Sequence, residues 1–164
     1  MSDSPYIPNF RQFAITRYAG GVPTGKGWQE ILTLGIQDVW KFDEPEESSD
    51  AIAIGLGMRI HFHPISVLQQ ILVGPGDLDF RSAIMEMHDC PGSIFVHCGS
   101  VARTAQWLLD RDDSKAGGND RSGLAFGCYL LWYGGLSKDA IFALMLKYGF
   151  HRILLGLWRY WKRV

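Results

Sequence analysis

The chain has 164 residues, 47% of them apolar and 20% charged, with a formal net charge of −1. This is ordinary globular usage at a length that fits one domain over 1–164, and the balanced charge gives no reason to expect nucleic acid or a membrane surface as a partner. Three cysteines, Cys90, Cys98 and Cys128, are odd in number and lack C-x-x-C spacing, which argues against a disulfide framework; with no signal-like or 18-residue apolar stretch, the expected location is cytoplasmic.

Residues 1–12 read as an irregular lead-in with two prolines. Phe13 to Thr16 is a short strand candidate, and Arg17 to Pro23 a turn-rich connection. Thr24 is placed to cap a helix carrying Trp28, Ile31, Leu32 and Leu34, with Gly35 as its stop. A strand is expected from Ile36 to Phe42. The acidic run Asp43 to Asp50 then reads as a solvated loop.

The stretch AIAIGLG is a short helix or turn, and MRIHFHPI a strand broken by Pro64. His61 and His63 alternate with Phe62 and so share a face, but no third ligand follows at a metal-site interval, and no metal or cofactor is expected. After a turn at Val73 to Gly76, Asp77 is expected to cap a helix to about His88 with Leu78, Ala83, Ile84 and Met87 as its apolar positions.

Ile94, Phe95 and Val96 form an apolar run between Pro91-Gly92 and Gly99, the pattern of a buried strand that delivers His97 and Cys98 to its end. Further on, Gly117 to Gly123 is a loop, GGNDRSG, that opens directly onto an apolar helix running to Tyr133. That puts Arg121 at a helix N-terminus, where free N–H groups and the macrodipole favour an anion. Gly134-Gly135 breaks this helix, Ser137 caps the next through about Lys147, and the final stretch packs a stripe of Ile153, Leu154, Leu157, Trp158 and Trp161. Strands alternating with helices predict an α/β fold, a central mostly parallel sheet flanked by helices, with chemistry beyond the strands' carboxyl ends.

A strand-end thiol facing an arginine and a row of loop amides is the layout for phosphoryl transfer through cysteine. Such a cysteine attacks as the thiolate, and a cationic, N–H-rich cradle favours that form. In its ordered segments YAGGVPT, FVHC, GGNDRSG and LLWYGGLSKDAIFALMLKYGF the chain resembles the protein tyrosine phosphatase superfamily, and within it the small dual-specificity-like phosphatases. Their signature is HC, five residues, R, then S or T, then G.

The resemblance implies a cofactor-free phosphatase in which Cys98 becomes the phosphocysteine, Arg121 grips two phosphate oxygens, and the loop of Gly118, Asn119, Asp120, Ser122 and Gly123 holds the rest. It implies that Ser122 helps the thiolate leave, and that His97 orients the loop or is simply structural. The general acid, an aspartate upstream of the cysteine in relatives, falls to Asp77, with Asp79, Asp120, Asp112 and Asp113 as alternatives. The implied substrate is a phosphorylated protein or a small phosphomonoester.

The chain departs from that signature in one respect. Between Cys98 and Arg121 lie 22 residues rather than five, so 17 extra residues enter the phosphate loop, at about 99–116, and an uninterrupted motif would have its cysteine at Lys115. Three consequences stand open: the extra residues loop out and the two halves still meet; Arg103-Thr104 in HCGSVART replaces the distal partner; or the insertion leaves an inactive phosphatase-like binding domain. A sulfur-transferase domain is a further rival, disfavoured by the RSG helix start.

Overall fold

The computed structural model describes residues 4–45, 48, 50–99 and 119–164. Its strands are β1 (Arg11–Ala14), β2 (Arg17–Gly20), β3 (Asp38–Lys41), β4 (Arg59–Phe62) and β5 (Ile94–His97), in the order β1-β2-β5-β3-β4. The β1–β2 pair is antiparallel and every other pair parallel, so β5 lies at the centre with β2 and β3 beside it. The α/β fold expected from the pattern is present. The YAG segment expected as a turn is strand β2, because its pairing with β5 supplies what its own glycine-rich sequence lacks.

The helices are α1 (Gly25–Thr33), α2 (Ala51–Gly55), α3 (Asp77–Asp89), α4 (Arg121–Tyr133), α5 (Lys138–Lys147) and α6 (Leu155–Arg163). Thr24 caps α1 and Ser137 caps α5, each side chain accepting an N–H three residues on. Gly35 follows α1 at φ 76°, a left-handed position that suits a residue without Cβ. Gly76, not Asp77, occupies the cap position of α3.

Two apolar layers sandwich the sheet. Val39 and Phe95 meet Trp28, Ile31 and Ala53 on one side; Trp40, Ile94, Val96 and Cys98 meet α3 to α6 on the other. The layers follow from period two along β5: Phe95 and His97 point to α1 and α2, Ile94 and Val96 to α4. Helix α4 is buried at every residue from Arg121 to Leu130, so it is a core helix rather than an amphipathic one.

Near the C-terminus, Leu154, Leu157, Tyr160 and Trp161 form the buried stripe, while Ile153 is exposed, a correction to the expected register. Leu78 likewise turns outward, with Phe80 taking its place in the core. Helix α6 lies so close to a short π-helical segment, Gln69–Val73, that a Cβ on Gly156 would stand 1.9 Å from the Gln69 carbonyl. Only glycine fits there without moving one element. Among the described residues, no helix is long and apolar enough to cross a membrane.

Candidate active site

Strand β5 ends at His97, and Cys98 follows at its carboxyl end, 1% exposed. Helix α4 begins beside it. The Ser122 N–H and the Cys98 sulfur are 3.5 Å apart, as are the sulfur and Ser122 Oγ. Asp120 stands at the cap position of α4 but does not cap it; its carboxylate accepts the His151 N–H at 2.8 Å and contacts His151 Nδ1 at 3.0 Å. The sulfur therefore takes a first-turn N–H that a cap side chain would ordinarily accept. Residues 24 apart in the chain are brought into contact at a helix N-terminus, where partial positive charge favours an anion.

Arg121 is fully buried, with Nη1 donating to the Ile65 carbonyl at 3.1 Å and Nη2 to the Gly99 carbonyl at 3.3 Å. It thereby bridges the residue after the cysteine and the loop after β4. Asn119 lies against Gly149 in the turn after α5. Gly123 is buried, and a Cβ there would meet the rings of Phe150 and Phe126. Gly118, Asp112, Asp113 and the alternative pair Arg103-Thr104 lie outside the described residues.

His97 is on the other face. Consecutive strand residues point to opposite sides, so the imidazole sits under Trp28, ring centroids 5.6 Å apart, between two carboxylates: Nδ1 is 3.8 Å from Asp43 and Nε2 3.4 Å from Asp50. Buried Lys41 donates to Asp50 at 2.7 Å and to the Ser48 carbonyl at 2.9 Å, and Ser48 bonds Asp43. Burial pushes the Asp50 carboxyl up, but His97 and Lys41 outweigh it and hold it below the usual carboxylate range. The acidic run expected as a solvated loop is thus partly a buried counter-charge. Asp43 is wholly inaccessible, with the His97 imidazole and the Ser48 hydroxyl as its neighbours, while Asp50 supplies the carboxylate that buried Lys41 needs.

Asp77 is fastened at the junction of α3 and α6. Its oxygens accept the Tyr160 hydroxyl at 2.9 Å and Arg81 Nε at 3.0 Å, and the Tyr160 hydrogen bond, followed by Arg81, holds the carboxyl below its ordinary range. Asp79 instead lines a cavity of about 330 Å³, together with Phe62, His63, Pro75, Phe80 and Ile65, the last being the residue whose carbonyl Arg121 holds. His61 stacks on Trp40 and His63 reaches Glu86, and no cluster of metal-ligating side chains exists among the described residues. Arg11, in the stretch expected to be irregular, is buried on the thiol's side of the sheet; nothing in its local sequence marks it, and only the β1–β2 pairing does.

No protein-family model and no curated protein sequence matches the chain. Solved structures do. TpbA of P. aeruginosa is 17% identical with a TM-score of 0.73, over 100% of this chain and 89% of that one. Tk-PTP is 14% identical with a TM-score of 0.68, covering 95% and 97%. The core catalytic domain of the PP-IP phosphatase SIW14 from S. cerevisiae is 16% identical with a TM-score of 0.65, covering 90% and 80%. With a central β5, a cysteine at its end and a buried arginine opening α4, the chain has the fold of the dual-specificity-like phosphatases of the protein tyrosine phosphatase superfamily.

Proposed function

We propose that this protein is a cysteine-dependent phosphatase acting on phosphomonoesters through a phosphocysteine intermediate. The observation that carries the reading is the Cys98 sulfur at the N-terminus of α4, within 3.5 Å of both the Ser122 N–H and its hydroxyl. The Cys98 thiolate attacks phosphorus, the S–P bond forms and the ester P–O bond breaks, with the leaving oxygen taking a proton. Water then attacks phosphorus, the S–P bond breaks, and thiolate and inorganic phosphate are released, Ser122 donating to the departing sulfur. Arg121 changes partners from the Ile65 and Gly99 carbonyls to phosphate oxygens, which its planar fork holds two at a time.

For the proton donor, the cavity shared with Ile65 favours Asp79, whereas Asp77 is spent on Tyr160 and Arg81. Asp79→Asn then lowers kcat more for alkyl than for aryl phosphates, since alkoxides need the proton more. Phosphotyrosine comes into view as a monoester substrate, because a TpbA structure holds pTyr; SIW14, a PP-IP phosphatase, adds a pyrophosphate, in which an anhydride P–O bond would break in place of the ester bond. Hydrolysis of p-nitrophenyl phosphate, insensitive to chelator and lost in Cys98→Ser, tests the reading.

A second reading, an inactive phosphate- or partner-binding domain, is favoured by the near-complete burial of Cys98 and by the carbonyls on Arg121. It predicts no turnover in the wild type and recovery of turnover once 17 residues are removed between Cys98 and Gly117.

A further inference from the structure

Besides Arg121, a second buried guanidinium faces the thiol's side of the sheet. In β1 Arg11 is paired with Ala19, and Ala19 with Val96 of β5, so the three stand in one row across the sheet. Residues paired in register share a face. Ala19, Val96 and Cys98 all belong to the apolar layer beneath α4, and Cys98, two residues beyond Val96, keeps Val96's face. The row spans two strand spacings, on the order of 10 Å between the Arg11 and Val96 backbones, so Arg11 and the thiol stand over one layer.

The far end of that side chain is fixed. Its guanidinium carbon lies 4.8 Å from the ring centroids of both Phe126 and Tyr148. Phe126 is one turn along α4 from Ser122, the residue that touches the sulfur. Nη1 donates to the Asn9 carbonyl at 3.0 Å, with Asn9 held at φ 52° in the left-handed region. Burial draws the guanidinium down to about 10, against which Cys98 and then Tyr148 pull it back up. It remains a cation at neutral pH, in surroundings where its field is weakly screened.

We propose that Arg11 is a positioning residue for Cys98: a buried cation, clamped between Phe126 and Tyr148, whose field favours attack by the sulfur and offsets the charge of the phosphoryl group transferred to it. The second half rests on the phosphatase reading; the first does not. Because Arg11 acts across a distance, its charge matters more than its hydrogen-bond geometry.

Alkylation separates the two halves. The thiolate displaces iodide from iodoacetamide, an S–C bond forming as C–I breaks, and mass spectrometry of the folded full chain at neutral pH reads Cys98 against half-buried Cys90. Arg11→Met slows Cys98 about tenfold or more relative to Cys90, as removal of a nearby buried charge requires. Arg11→Lys, which keeps the charge, restores the rate to within about threefold of wild type. With p-nitrophenyl phosphate, Arg11→Met lowers kcat while KM changes less.

A folded Arg11→Met protein alkylated at the wild-type rate overturns the proposal. So does a folded Arg11→Lys protein that is as slow as the methionine variant, an arm that decides the matter even where Arg11→Met does not fold. So, too, does a wild-type Cys98 no more reactive than Cys128. A wild type that alkylates as expected yet hydrolyses no phosphate ester defeats the phosphatase reading and leaves Arg11's effect on the thiol standing.

Discussion

Two cysteines flank one helix and meet opposite fates. Cys98 abuts the first turn of α4 and Cys128 lies in its middle; both are essentially inaccessible. Cys128 is surrounded by apolar side chains, and burial pushes its thiol far above the ordinary range. Cys98 is as buried but meets the Ser122 N–H and hydroxyl at a helix N-terminus. Burial alone makes a cysteine inert; burial among oriented donors is the condition for a reactive one.

The strongest test of this contrast substitutes each cysteine in turn. Cys98→Ser removes p-nitrophenyl phosphate hydrolysis by about a thousandfold or more, as loss of a covalent nucleophile does. Cys128→Ala leaves turnover within about twofold and costs about 1 kcal/mol, a drop in Tm of about 2–4 °C, through the small cavity it opens. Next in size, Arg121→Lys lowers kcat/KM by about a hundredfold, because an ammonium cannot span two phosphate oxygens.

Arg17 sharpens the comparison from the opposite end of the sheet. It is buried as Arg11 is, but it donates to the carbonyls of Gly92 and Cys90 at 2.7 Å and of His88 at 3.2 Å, fastening β2 to the approach to β5. Arg17→Ala orphans those buried acceptors and costs about 2–4 kcal/mol in urea unfolding, with turnover per folded molecule unchanged. The smallest effect belongs to Asp77→Asn, which lowers Tm slightly and leaves kcat alone.

Asp38, held down mainly by Arg59, and Asp77, held down mainly by Tyr160, carry carboxyls below their unfolded values. Each contributes stability above the unfolded carboxylate value of about 4 that is lost as pH falls through the folded one. The urea midpoint of the wild type therefore declines below about pH 4, and less steeply in Asp38→Asn.

How much of this was legible in the chain depended on whether the signal was local. The caps Thr24 and Ser137, the stop at Gly35, the apolar run into Cys98 and the arginine opening an apolar helix are all set by neighbours in sequence, and each stands where the pattern put it. Strand β2 was not legible, since glycine-rich YAG becomes a strand only through pairing with β5. Asp43 and Asp50 looked solvated because the groups they meet inside, Lys41 for Asp50 and His97 for both, lie on strands that read as apolar. Asp77 and Asp79 are two residues apart, and helix pitch alone sends one to the α6 junction and the other to the cavity. Arg11 has no periodic mark at all, and only the cross-strand row through Ala19 exposes it.

Because His97 and Cys98 are adjacent on β5 yet face opposite layers, the central strand works as a partition. Partners of His97 can be changed on one side without a single atom entering the layer that holds Cys98 on the other. Redesign of Lys41, Asp43 and Asp50 would thus tune how firmly the wall stands, independently of the surroundings of the thiol behind it.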